Sequence, residues 1–186
     1  MAGKKRIAVP ALPPAAAALR RSGALCPVRA DESCAEQIAW MIGVSFAAQA
    51  KELGLDRQSC PDYVAFETAA DVRRDLAGGT RAYLFYLDGV PVATVRLHIG
   101  PDGRTGSIDR LAVLPQYRGR DLGARCVYFA EGALRALGAK KVRLSIVASF
   151  AKLESFYHRL GYATKEDKTY PGLPFTVRYL QKKLPR

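Results

Sequence analysis

Hydrophobic residues at helical spacing mark the first long element of the chain. Ile38, Met41 and Ile42 recur at intervals of three and four residues, which indicates an amphipathic helix with one buried face. Ser33 precedes a glutamate by three residues, the spacing of a capping box, so we expect it to begin this helix. Gly54 is expected to end it.

Two shorter elements flank that helix. A short strand is predicted near Val28. A second capping spacing, Thr68 to Asp71, predicts a short helix that closes at Gly78.

Strand patterns replace helical spacing in the middle of the chain. Residues 82–87 and 90–99 are rich in β-branched and aromatic side chains, and the Asp88-Gly89 pair between them is typical of a hairpin turn. A third strand is predicted over residues 106–114. These three segments indicate an antiparallel meander.

Helices and strands alternate after the meander. The pattern predicts a helix over residues 122–137, a buried strand over 142–147 and a helix over 151–160, then terminal strands around Tyr162 and over 175–180. The predicted fold class is α/β (α+β), with a mixed, mostly antiparallel central sheet flanked by helices.

Composition and charge suit one globular domain preceded by a basic tail. The chain has 186 residues, 49% of them hydrophobic, and a formal net charge of +12. Residues 1–26 are rich in Ala and Pro without a sustained hydrophobic period, so we expect a disordered tail and a single domain over 27–186. The tail has no aromatic residue to stack on a base, so we do not expect nucleic acid as a partner.

The cysteines and histidines give no metal-site pattern. The four cysteines include no CxxC pair and there are only two histidines, His98 and His158, so we expect no metal. No run reaches the roughly 18 apolar residues that span a bilayer. We therefore expect a soluble, cytoplasmic protein with reduced thiols.

The most informative segment is residues 108–124, a strand followed by a basic, glycine-containing turn and a helix. The N-terminus of a helix exposes unpaired N–H groups and a partial positive charge, so it suits an anion. Arg118 and Arg120 add donors, and Gly119 and Gly123 allow close approach. A pyrophosphate would fit here, although an ordinary strand-to-helix turn with solvated arginines has the same composition.

This segment resembles the pyrophosphate-binding signature of the GNAT family of N-acetyltransferases, Gln/Arg-x-x-Gly-x-Gly/Ala. Five residues fall on the pattern: Gln116, Arg118, Gly119, Arg120 and Gly123. A second stretch, residues 151–162, is similar to the family's motif of an apolar helix ending in Phe-Tyr-x-x-x-Gly-Phe/Tyr. Two motifs in the right order identify the chain as a member and imply the GNAT fold.

The resemblance implies acetyl-CoA as co-substrate and direct transfer of the acetyl group to a primary amine of a small molecule or a protein. It makes Tyr157 the general acid. Asp109, two residues before Leu111 on the strand beside the acyl site, is the candidate base, and an ion pair with a nearby arginine is an equal alternative. The implied cofactor-binding residues are Leu111, Ala112, Val113, Arg118, Gly119, Arg120, Asp121, Leu122, Gly123 and Ala124.

One departure from the signature motivates a second hypothesis. Asp121 stands where the family has Gly or Ala, and its carboxylate would repel a pyrophosphate if it pointed inward. Asp tolerates unusual backbone angles, so the turn itself can survive. We expect the carboxylate to point outward, where it is favourable for the helix dipole and leaves binding intact. The alternative function is a catalytically inactive CoA-binding regulatory or interaction module.

The acceptor is not identified by any motif. Residues 31–78 and 165–175 are expected to build its pocket, in which acidic side chains could recognise a cationic amine. The candidates are Glu67, Asp71, Glu166 and Asp167. The C-terminal strand could pair with a second copy, so a homodimer stays open.

Overall fold

The structure, a computed structural model, describes residues 23–185. Within them it has seven strands and four α-helices. The strands are β1 (Leu25–Arg29), β2 (Arg81–Leu87), β3 (Val90–Ile99), β4 (Thr105–Val113), β5 (Lys141–Val147), β6 (Ala163–Lys168) and β7 (Val177–Lys183). The helices are α1 (Ala35–Glu52), α2 (Ala69–Ala77), α3 (Leu122–Ala136) and α4 (Ala151–Arg159).

The predicted tail falls largely outside the described residues. Only residues 23–26 of the predicted 1–26 segment are described, and β1 begins at Leu25, two residues before the expected start of the domain.

The seven strands form one sheet in the order β1-β2-β3-β4-β5-β7-β6. Every neighbouring pair is antiparallel except β4 and β5, which are parallel. These two strands pair only over Thr105 to Ser107 and Lys141 to Arg143, and beyond Ser107 they separate. The mixed, mostly antiparallel sheet with flanking helices confirms the predicted fold class.

Helices cover the two faces of the sheet. α3 and α4 pack on one face, where Phe85 of β2 is buried, and α1 and α2 pack on the other, where the neighbouring Leu84 is buried. Adjacent residues of a strand point to opposite faces, so the hydrophobic strand supplies both cores. A small third cluster, which includes Tyr63, joins the loop after α1 to Phe175 before β7.

The two predicted capping boxes have different outcomes. Thr68 and Asp71 form the reciprocal pair at the start of α2, as predicted. The prediction for Ser33 is wrong: a 3-10 turn, Glu32–Cys34, precedes α1, and Asp31 caps that turn by accepting from the Ser33 amide at 2.9 Å. The Ser33 hydroxyl donates to the same carboxylate, a stronger acceptor that lies two residues earlier.

Candidate active site

A cleft of about 1120 Å³ opens where β4 and β5 separate. Its walls include residues 108–113 of β4, 144–147 of β5, the turn before α3 and the buried side of α4. Because the pairing of the two strands stops at Ser107, the edge of β4 turned toward β5 leaves peptide groups available to a ligand. The cleft has room for an extended molecule and a second substrate.

The turn between β4 and α3 has the backbone that the signature requires. Gly119 has φ +76°, and a Cβ added there would have nothing within 4 Å. Asp121 is the residue before α3 and has φ 58° and ψ 11°, so aspartate adopts the left-handed conformation as expected. Its side chain makes no capping hydrogen bond to α3, so it does not occupy the first N–H groups of that helix.

The two arginines of the turn have different surroundings. Arg118 donates from Nε to the carbonyl oxygen of Val113 at 3.1 Å and from Nη2 to that of Ser45 at 2.6 Å. Arg118 is exposed as a whole, and the partial burial of its guanidinium lowers its pKa. Arg120 instead stacks over the ring of Tyr117, with its Cζ atom 5.5 Å from the ring centre.

Arg120 does not line the cleft, whereas the remaining residues of the predicted cofactor site do. Leu111 and Val113 are half-buried on β4, whereas Ala112 is turned into the core beneath α1. At the start of α3, Leu122 and Ala124 are buried. Gly123 packs closely against α4: a Cβ atom added to Gly123 would lie 3.4 Å from the Phe156 ring.

Tyr157 lines the cleft from α4 and is 6% exposed. Its ring meets those of Phe156 and Tyr162 edge to face, with centres 5.0 and 5.7 Å away. Burial, and then the negative charge of Asp109, raise the pKa of Tyr157. No other described residue is recorded as a hydrogen-bond partner of its hydroxyl, which leaves that group for a ligand.

Asp109 lies on β4 with its side chain 36% exposed. The Ser107 hydroxyl donates to its Oδ2 atom at 3.1 Å, and His98 Nε2 is 3.6 Å from the same oxygen. The sequence does not show on which face of β3 His98 lies. In the structure its ring faces Asp109. His158 lies elsewhere, with Nε2 3.1 Å from Thr164 Oγ1.

An irregularity in β4 follows Asp109. Between Thr94 and Arg96 of β3, the partner strand β4 contains one extra residue, and Arg110 has φ 54°. Arg110 donates from Nε to Glu67 Oε1 at 3.2 Å. Arg110 was not predicted as a site residue, because no local pattern predicts a left-handed arginine within a strand.

Glu67 belongs to a buried group of charges. Arg96, 1% exposed, donates to both carboxylate oxygens of Glu67, at 2.8 and 2.7 Å, and to Asp75 at 2.7 Å. The other acids considered for amine recognition are also engaged. Asp71 caps α2, Glu166 pairs with Lys168, and Asp167 pairs with Arg178. None of the four lines the cleft.

The far end of the cleft has apolar walls. Phe46 of α1, Tyr63 and Val64 lie on one side, and Leu173 and Phe175 lie on the other. The rings of Tyr63 and Phe175 meet edge to face with centres 5.8 Å apart, so the two segments expected to build the acceptor pocket do contact each other. Burial is the main cause that raises the pKa of Tyr63 to about 12.

Comparisons with known proteins agree with this geometry. The model of the acetyltransferase (GNAT) family matches residues 48–162. A Bacillus subtilis (strain 168) protein named as an acetyltransferase is 30% identical over 131 residues, which cover 68% of this chain and 81% of that protein. The chain therefore belongs to the GNAT acetyltransferase family. Its class is that of the acetyl-CoA-dependent N-acetyltransferases, and acetyl-CoA is its co-substrate.

Solved structures show the same fold. An acetyltransferase from Thermus thermophilus superposes with a TM-score of 0.67 at 19% identity, over 86% of this chain and 97% of that one. The PaiA N-acetyltransferase from Thermoplasma acidophilum, in complex with coenzyme A, has a TM-score of 0.71 at 13% identity, over 87% of this chain and 99% of that one.

Residues 23–185 contain neither a metal-binding group nor a membrane-spanning helix. In that range no three His, Cys, Asp or Glu side chains are grouped so that they could hold a metal ion. None of the helices in the same range combines the length and the hydrophobicity needed to cross a membrane.

Proposed function

We infer that the chain transfers the acetyl group of acetyl-CoA directly to the primary amine of a small molecule or a protein. One observation carries this proposal. Tyr157 and Asp109 line the same cleft, beside a turn suited to a pyrophosphate. A candidate acid and a candidate base therefore border one place where a thioester and an amine can meet.

In the proposed reaction, the amine nitrogen attacks the thioester carbonyl carbon, the new C–N bond forms and the C–S bond breaks. Asp109 takes the proton that the amine must lose, directly or through one water molecule. Tyr157 gives its proton to the departing thiolate. The same burial that raises the pKa of Tyr157 raises the proton affinity of a thiolate beside it, so the transfer stays feasible.

Binding of acetyl-CoA would use main-chain groups of the turn before α3 and of β4. The N–H groups of the turn and of the first turn of α3 suit the pyrophosphate. The edge of β4 at Leu111 and Val113 is not paired with β5 and suits the amide groups of the pantetheine arm, although the Val113 carbonyl already accepts from Arg118.

Thermal stabilisation by acetyl-CoA tests the binding part of the proposal. A ligand at 100 times its dissociation constant stabilises a fold by roughly 2.7 kcal/mol, a visible shift in melting temperature. Gly119→Glu should abolish the shift. Gly103→Glu is the matched control, because Gly103 also has a positive φ and open space but lies in the β3–β4 turn, outside the cleft.

Release of free CoA in the presence of a panel of amines tests the transfer. We expect acceptor-dependent release by the wild type and by Gly103→Glu. Binding of acetyl-CoA without transfer to any amine would support the inactive CoA-binding module instead. Absence of binding by the folded wild type would contradict both functions.

A further inference from the structure

We propose that the acceptor is an amino acid with an apolar side chain, and that Arg110 binds its carboxylate. The inference rests on the proposed acetyl transfer and adds the class of the acceptor. It assigns a binding role to a residue that lies next to the candidate base but has no place in the transfer chemistry.

The extra residue in β4 brings both charges to one face. In a regular strand, consecutive side chains alternate, so Asp109 and Arg110 would point to opposite faces. Asp109 pairs across the ladder with Arg96, whose side chain reaches α2, and Arg110 reaches Glu67, which directly precedes the helix-capping Thr68. The carboxylate and the guanidinium therefore both lie on the α1–α2 face, where the apolar end of the cleft is found.

Glu67 orients the Arg110 guanidinium and leaves part of it free. Only Nε of Arg110 is recorded as donating to Glu67, so the two Nη groups have no recorded partner among residues 23–185. The Arg110 side chain is 36% exposed and lines the cleft. A guanidinium held at one nitrogen, with its other donors open to a cleft, suits a carboxylate.

The charges of the network balance without a ligand. Arg96 and Arg110 face the carboxylates of Glu67 and Asp75, so an amino acid, whose ammonium and carboxylate charges cancel, can bind without adding a net charge to this group. At the cleft, Asp109 and Arg110 present opposite charges side by side. That pattern complements a molecule that carries an ammonium and a carboxylate on the same carbon atom.

The rest of the pocket selects the side chain. Phe46, Tyr63, Leu173 and Phe175 supply an apolar surface beyond the two charges. The product would be an N-acetyl amino acid and CoA: the amine loses one proton to Asp109, the thiolate gains one from Tyr157, and the carboxylate on Arg110 takes no part in bond making.

Matched acceptor pairs test this assignment. Leucine and 3-methylbutylamine, or phenylalanine and phenethylamine, differ only by the carboxylate. We expect wild-type kcat/KM to favour the amino acid by about 10- to 100-fold, the value of one hydrogen bond to a charged group. Arg110→Gln should remove this preference by lowering the value for the amino acid alone, and Arg110→Lys should restore part of it. Arg143→Gln, an exposed β5 arginine outside the cleft, is the matched control.

A second measurement separates the acceptor class from the transfer itself. Leucine is titrated calorimetrically into the protein bound to CoA, with the wild type and Arg110→Gln. Equal use of amine and amino acid, or an equal loss for both in Arg110→Gln, would overturn the inference while acetyl transfer stands. Leucine binding that needs Arg110, without any transfer, would support the site and refute the proposed function. If amino acids are not acetylated and leucine does not bind, the inference is overturned.

Discussion

The guanidinium of Arg118 joins two segments by donating to the main-chain carbonyl oxygens of Ser45 in α1 and Val113 in β4. Arg118 belongs to the signature expected to hold a pyrophosphate, yet two of its nitrogens are already engaged within the protein. The link holds the acceptor-side helix against the strand that borders the cofactor cleft. Arg118 therefore has a structural role even before any ligand binds.

This link predicts a stability effect that needs no ligand. Arg118→Ala should lower the free energy of unfolding by about 1 kcal/mol, because two carbonyl groups lose a charged donor. Arg120→Ala, which removes only a stacking contact at the surface, should change it by less than about 0.5 kcal/mol. Urea denaturation of the free protein measures both values. Equal losses for the two variants would contradict the structural role of Arg118.

Tyr157→Phe should reduce turnover by about 100- to 10,000-fold, the usual contribution of a general acid. The dissociation constant of acetyl-CoA should stay unchanged, because the ring and its packing against Phe156 and Tyr162 remain. Steady-state kinetics and calorimetry separate the two quantities. Tyr128→Phe, which changes an exposed tyrosine on α3, is the control. Unchanged turnover in Tyr157→Phe would exclude this residue as the acid.

Asp109→Asn should impair the reaction most at low pH. Amines with pKa values from about 8 to 10.4 arrive protonated near neutrality and need a base to become nucleophilic. As the pH rises through the pKa of the acceptor amine, a growing fraction arrives deprotonated and the need for Asp109 falls. The kcat/KM ratio of wild type to variant, measured from about pH 6 to about pH 10, should therefore decrease with pH. A uniform loss across this range would favour a structural role.

Asp121→Asn should tighten the binding of acetyl-CoA about fivefold. The change removes a negative charge beside the expected pyrophosphate position, and exposed unit charges about 4 Å apart interact by about 1 kcal/mol. Asn adopts left-handed backbone angles as readily as Asp and is an equally good residue at a helix start, so the fold should be unaffected. The difference in affinity should shrink at high salt. Weaker binding by Asp121→Asn would mean that this carboxylate contributes to the site.

The elements of the fold were predictable wherever one face of an element is buried. Ile38, Met41 and Ile42, chosen by spacing alone, are fully buried in α1. The cap of α1 was predicted wrongly, because Asp31 and Ser33 both lie at its entrance and the spacing of residues does not show which one binds the free amide. Local patterns thus predicted the elements better than their exact starting points.

The site was predictable only in part, because it depends on contacts between distant segments. The basic turn and Tyr157 stand out as motifs. The separation of β4 from β5 depends on how the α3 crossover returns the chain, and the Arg96–Glu67–Arg110 group joins residues up to 43 positions apart. Neither relationship can be predicted from residues that are neighbours in the sequence.

The extra residue at Arg110 makes this stretch unusually sensitive to a change in the length of the coding sequence. Loss of a single codon between Thr105 and Asp109 would turn the side chains before the bulge to the opposite face of the sheet, while Ala112 would keep its face. Exchanging Ser107 for another small polar residue, by contrast, leaves the register intact. A library of single-residue deletions and substitutions across this strand should therefore retain many substitutions after selection for the folded protein and lose the deletions.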